Sequence, residues 1–330
     1  MRKTVCATLA VMMSVLFSPL SQAGQAWESY KARFFKPEGR IVDTGNGGVS
    51  HTEGQGFAML MAVANDDKAT FDKLWQWTNR ELKNKENGLF YWRYNPAESN
   101  PVADKNNAAD GDVLIAWALL KADARWHEKR YGAASDAITK ALVAHSVIRY
   151  AGYRVMLPGV QGFKLDGEAI LNPSYFVFPA WQAFAGRSHL PVWRDLIKDG
   201  KRLLGKMGSG KADLPADWVS LASDGKLEPA KGWPPRMSYD AIRIPLYLAW
   251  SDKQSPLLTP WKAWFGQFPR EQTPAWVNVT TNEYAPYMME GGLLAVRDLT
   301  MGQSSGEPEI TSKDDYYSAS LKMLVWISAQ

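Results

Sequence analysis

Apolar residues recur at helical spacing along the whole of this chain, in about ten separate stretches. The stretches are Gly56 to Val63 (continuing towards Asn65), Ala69 to Leu82, Asp112 to Ala124, Ala133 to Tyr150 and Phe176 to Ala185. They continue with Trp193 to Leu204, Ala241 to Trp250, Pro260 to Phe268, Ala285 to Arg297, and Asp315 to Ile327. Pro and Gly clusters such as Leu157-Pro-Gly159 and Gly232-Trp-Pro-Pro235 separate them, and no low-complexity linker intervenes. The pattern predicts an all-α chain, and a toroid of helix hairpins or a bundle with inserted loops both accommodate it. The long gaps Asn84 to Asn107 and Gly208 to Arg236 suggest functional loops.

The first residues read differently. Met1-Arg-Lys3 is a short positive region, Ala7 to Leu20 is nearly all apolar, and Ser21-Gln-Ala23 offers small residues to a signal peptidase. Residues 1–23 are expected to be a secretory signal and 24–330 the mature chain, placed in the periplasm or outside the cell. The only cysteine, Cys6, lies within the signal, so no disulfide is expected in the mature chain, whose length supports a core without one. The formal charge of +4 falls to about +2 once Arg2 and Lys3 leave. Basic and acidic residues are mixed, with no block suited to nucleic acid and no segment suited to membrane insertion.

Three short segments each put a carboxylate at the start of a predicted helix: Glu53 in Ser50-His-Thr-Glu-Gly-Gln-Gly-Phe57, Asp110 in Ala108-Ala-Asp-Gly-Asp112, and Asp240 in Ser238-Tyr-Asp-Ala-Ile-Arg-Ile-Pro245. Fifteen tryptophans and thirteen tyrosines accompany them, enough to supply flat platforms for sugar rings. Acids gathered at one end of a helical fold among aromatics point to polysaccharide hydrolysis, which uses two carboxyl groups in opposite protonation states. Each acid also has a plain structural reading. Ser50-x-x-Glu53 fits a capping box, and Asn107-x-x-Asp110 with Asp112 fits a capped, acidic first turn. Asp240 with Arg243 fits an ion pair at a helix end. Gly54 and Gly56 favour a functional reading, because they weaken the helix yet let a ligand approach its backbone. Pro245 implies a kink or a late helix start.

His51, His127, His145 and His189 show no metal-ligand spacing, and no Gly-x-Ser-x-Gly element is present. Most aromatics belong to helical stripes. Trp92, Tyr175, Trp218, Trp233 and Tyr239 fall in or beside loops and are the better subsite candidates, and Tyr316 and Tyr317 are placed at the same rim.

Taken together, the segments resemble glycoside hydrolase family 8, and within it the bacterial endoglucanases encoded alongside cellulose synthase. The resemblance runs from Gly39-Arg-Ile-Val-Asp43 through Thr52-Glu-Gly-Gln-Gly-Phe57, Phe71-x-x-Leu-Trp-x-Trp77 and Asn172-Pro-Ser-Tyr-Phe176. It continues to Ser238-Tyr-Asp-Ala-x-Arg-x-Pro245 and Asp315-Tyr-Tyr317. Its most specific stretch is Asp110-Gly-Asp-x-x-Ile-Ala-x-Ala-Leu-Leu-x-Ala122. Ala109, Phe57 and the spelling Ser50-His-Thr-Glu53 are small departures from the family pattern.

The resemblance implies a single (α/α)6 catalytic domain, an open cleft at one end, and inverting hydrolysis of internal β-1,4 bonds with no cofactor or metal. It puts the general acid on Glu53, the general base on Asp240, and the substrate-binding, ring-distorting aspartate on Asp110. Tyr175 and Arg243 then support the base and its water, with Asp112 a further supporting acid. The expected partner is a β-1,4-glucan of the cellulose type acted on by a monomer, in connection with the cellulose synthase complex. Xylan, mixed-linkage glucan and chitosan are the alternative substrates, and a non-catalytic glycan-binding component of the export machinery is the alternative function.

Overall fold

The computed structural model describes residues 24–303 and 306–330, so the expected signal and Cys6 lie outside the described residues. Among the described residues the helices are α1 (Gln25–Phe34), α2 (Thr52–Ala64), α3 (Lys68–Glu81), α4 (Ala109–Trp126), α5 (Lys129–His145) and α6 (Phe178–Ser188). They continue with α7 (Pro191–Leu204), α8 (Arg243–Ser251), α9 (Thr259–Phe265), α10 (Gly291–Thr300) and α11 (Tyr316–Ser328).

Contacts close a ring. α2 packs on α4, α4 on α6, α6 on α8, α8 on α11, and α11 returns to α2. Outside the ring α3 backs α2, α5 backs α4, α7 backs α6, and both α1 and α10 back α11. The architecture is the expected (α/α)6 toroid, although the chain between α9 and α10 is irregular rather than helical. Sequence accounts for the layers. From Gly54 to Val63 every residue of α2 is buried, and α4 is buried without interruption from Ala109 to Leu119. A helix apolar all round belongs in an interior. Helix α7 buries only one stripe, with Trp193, Leu196 and Leu203, as an outer helix should.

Boundaries differ from expectation where local chemistry overrides period. α5 stops at His145, and Val147–Tyr150 instead forms strand β1, paired with β2 (Tyr153–Met156). The turn residues Ala151 and Gly152 both have positive φ, which no helix can continue through. Helix α10 begins at Gly291 rather than Ala285, because Pro286 and the positive φ of Gly291 keep the preceding segment irregular. Pro245 sits in the first turn of α8, so it marks a late start and not a kink. Helix α1 was not expected, though its stripe Trp27, Tyr30 and Phe34 is fully buried. Several two- to four-residue strands also decorate the loops, none visible in the helical period.

Gly54, Gly56 and Gly111 turn out to serve packing, not ligand approach. A Cβ at Gly54 would lie 2.5 Å from Tyr316 Oη, one at Gly56 2.5 Å from Leu114 Cβ, and one at Gly111 2.1 Å from Thr52 Oγ1. These glycines let α2 close against α4 and α11, which fixes the start of α2 relative to its neighbours.

Candidate active site

The N-terminal ends of the ring helices converge on one cleft of about 530 Å³. Thr52 and Glu53 come from the start of α2, Asp110 from α4, and Tyr175 from the turn before α6. Asp240 and Arg243 come from the approach to α8, and Asp315 and Tyr317 from α11. Converging helix N-termini favour negative charge, so acids are at home here.

Neither capping reading is realised. Ser50 Oγ donates to the Ile41 carbonyl, and the residue capping α2, His51, makes no side-chain cap. Glu53 is therefore free to reach inward, where Oε2 lies 2.7 Å from Arg243 Nη1 and Oε1 accepts from Tyr316 Oη at 3.5 Å. Arg243 is the hub of the site. Its Nη2 lies 3.0 Å from Asp240 Oδ1 and 3.8 Å from Asp110 Oδ2, and it donates to Ser174 Oγ at 3.0 Å. A guanidinium is a rigid fork with its two Nη atoms about 2.3 Å apart, so Glu53 Oε2 and Asp240 Oδ1 lie no more than about 8 Å apart. That ceiling admits the roughly 6.5–9.5 Å spacing of an inverting carboxyl pair.

Asp240 is the more open acid. Its second oxygen accepts from Asn172 Nδ2 at 3.2 Å. Asn172 in turn accepts from Ser174 N and Oγ, so the short turn Pro173–Tyr175 braces both Asp240 and Arg243. Asp110 lies deepest, accepting from Gly111 N at 2.8 Å. Burial, and then the charge of Glu53, push its carboxyl up to about 8. One buried cation faces three acids, and burial retains a proton on Asp110. Burial also drives the Tyr175 hydroxyl well above its usual value, which keeps it a neutral donor.

The remaining candidates divide. Trp92, Tyr239 and Tyr317 line the cleft, with the His51 ring parallel to Trp92 at 6.5 Å. Trp218 and Trp233 do not reach its centre. They stack on each other at 4.9 Å, and Phe163 stacks on Trp218 at 5.7 Å. Tyr175 meets Trp218 edge-on, so this stack adjoins the cleft through Tyr175. Tyr316 is buried beneath Glu53 and cannot be a rim aromatic.

Asp112 points away from the cleft centre. It accepts from Phe90 N at 2.9 Å and Asn107 Nδ2 at 2.8 Å, tying the long 84–107 loop to α4. Sequence reasoning missed Asn172 and Ser174 as braces, and Asp43, Asn46 and Asp315 as lining. Asp43 pairs with His51 Nε2 at 3.2 Å, a contact that closes the intervening loop and that no local spacing reveals.

Burial also pushes Asp112 up to about 7. Asp110 and Asp112 thus bind protons more tightly folded than unfolded, so stability is full below the usual carboxylate range and is lost as pH rises towards about 7 and 8. The melting temperature of the free protein is expected to fall across this interval, and Asp112→Asn should flatten the fall. An Asp112→Asn melting profile parallel to the parent's would refute this account.

The family model for glycosyl hydrolases family 8 matches residues 1–330. An endoglucanase of Cellulomonas uda is 62% identical over 303 residues, covering 92% of this chain and 84% of that protein. The crystal structure of endoglucanase Cel10, a family 8 glycosyl hydrolase from Klebsiella pneumoniae, is 66% identical with TM-score 0.92, covering 93% of this chain and 99% of that one. The endo-beta-1,4-glucanase CMCax from Acetobacter xylinum is 39% identical with TM-score 0.88, covering 92% and 97%.

Proposed function

The chain belongs to family 8 of the glycosyl hydrolases, and from that premise we propose that it is an endo-β-1,4-glucanase using Glu53 and Asp240 as its acid and base. The observation that carries the reading is the single guanidinium of Arg243 held between these two carboxylates in an aromatic-sided cleft.

Glu53 gives its proton to the bridging oxygen as the glycosidic bond breaks. Asp240 takes a proton from a water on the opposite face of the ring, and that water attacks the anomeric carbon with inversion. Arg243 and Asn172 each occupy one oxygen of Asp240, which limits its rotation and leaves its remaining lone pairs for the water. Asp110 holds the hydroxyls of the distorted ring, and as a neutral acid it can donate as well as accept. The cleft-lining aromatics Trp92, Tyr239 and Tyr317 give apolar faces to neighbouring sugars.

The biological role and location extend this reading. An apolar N-terminal segment ending in Ser21-Gln-Ala23 suits export, so the enzyme works in the periplasm or outside the cell. There it trims or releases nascent glucan during cellulose export, beside the synthase complex. No described helix is long and apolar enough to cross a membrane.

The test is to incubate the purified protein with soluble cellulosic glucan, xylan, mixed-linkage glucan and chitosan, following viscosity, reducing ends and the anomeric signals of fresh products. The expected result is a fast viscosity drop on cellulosic glucan and α-anomeric new ends, detected before mutarotation. New ends in the β form would overturn the inverting mechanism. Cleavage of another polymer alone would move the substrate.

A further inference from the structure

The turn that carries Asp240 is closed by a carboxylate from a distant part of the chain. Asp217 lies just before strand β3 (Val219–Ala222), and its Oδ1 accepts from Ser238 N at 2.9 Å and from Ala241 N at 2.8 Å. Its Oδ2 accepts from Ser238 Oγ. Ser238 and Ala241 bracket Tyr239 and Asp240, so one side chain grips the turn on both sides of Asp240. The Asp217 N–H in turn donates to the Arg236 carbonyl at 2.7 Å, which anchors the gripping residue to the strand leading into the turn. Without Asp217, the bonds across the turn are Ile242 N to Ser238 O and Arg243 N to Asp240 O, both at 3.0 Å.

A neutral Asn or Ser would satisfy free N–H groups at a helix start. A largely buried carboxylate beside Asp240 is a costlier choice. Burial, and then the charge of Asp240, push Asp217 up to about 6, so the two acids sense one another.

We propose that Asp217 is the positioning residue for Asp240: it pins the turn that aims Asp240 at its water. This rests on Asp240 being the general base. Asp240 is otherwise faced by Arg243, Asn172, Tyr175, Tyr317 and Asp110, and by Glu53 across Arg243. The Ser238 hydroxyl and Asp240 are the groups that face Asp217.

The experiment measures kcat and KM against pH for the parent, Asp217→Asn, Ser238→Ala and Asp240→Asn, on cellopentaose, which carries no titrating group. Asparagine at 217 keeps an acceptor but no charge. Its kcat is expected to fall about tenfold with KM within about twofold. Ser238→Ala removes one of the three bonds of the grip, so kcat falls a few-fold with KM again held.

An Asp217→Asn enzyme with the parent's kcat, or with kcat and KM spoiled together, overturns the proposal. If that variant does not fold, an unchanged kcat in Ser238→Ala overturns it instead. Activity surviving in Asp240→Asn would refute the underlying role of Asp240 whatever the other variants do.

Discussion

Glu53→Gln lowers kcat on cellulosic glucan by about two to four orders of magnitude, the share that general acid catalysis commonly supplies. Glutamine has nearly the same shape, and its amide oxygen can still accept from Arg243 Nη1, which lies 2.7 Å from the native carboxylate. What it lacks is a transferable proton, so substrate binding and KM change little. The leaving group separates this effect from a general disturbance. An aryl cellooligosaccharide with an acidic phenol departs without protonation, so Glu53→Gln should cleave it far better, relative to the parent, than it cleaves glucan. Asp240→Asn has no such escape. Water must still be activated, and both substrates should suffer alike. Equal losses on the two substrates in Glu53→Gln would remove Glu53 from the acid role, and retained glucanase activity in that variant would do so at once.

The same contrast between local and distant information explains what could be read before any coordinates. The ring helices were legible because α2 and α4 are apolar on every face, and the outer helices because α3 and α7 carry one stripe. The all-α class and the three acids at helix starts follow from spacing alone. The family resemblance added the toroid and the roles.

What stayed hidden depends on contacts across long separations. Gly54 and Gly56 looked like room for a ligand, and only the approach of Tyr316 and Leu114 shows that they are helix contacts. Ser50-x-x-Glu53 has the spelling of a capping box, but Ser50 finds the Ile41 carbonyl and Glu53 finds Arg243, 190 positions away, so tertiary partners win over the local option. Asp112 and Asp110 are two residues apart and look interchangeable in sequence. Two positions are a little over half a helical turn, which sends the first to the 84–107 loop and the second to the cleft. Asp217 has no local signal at all, because its partners at 238 and 241 lie 21 and 24 positions on, beyond the hairpin of Val219–Ala222 and Leu227–Pro229.

Arg243→Met is expected to damage folding and catalysis together, and pH should reveal why. The guanidinium is buried and serves Glu53, Asp240 and Asp110 at once, so its removal leaves acids facing one another with no cation between them. Breaking a buried ion pair by removing one partner costs about 3–5 kcal/mol, because the partner's charge stays desolvated. Methionine fills much of the volume, so the loss is mainly electrostatic and follows ionisation. Arg243 holds the Asp110 carboxyl below where burial alone would put it, and removing it raises that carboxyl further. A raised acid destabilises as pH climbs through the interval between its unfolded and folded values. The stability gap between Arg243→Met and the parent should therefore widen above about pH 8, where only the parent's Asp110 ionises in the folded state, as read by urea unfolding at pH 7 and pH 9. Arg243→Lys keeps one charge but cannot span two carboxylates, so it should recover stability while kcat remains depressed, because Asp240 is no longer aimed. A gap of equal size at both pH values would mean that Arg243 acts by filling space, and the charge-hub account of this cleft would then fail.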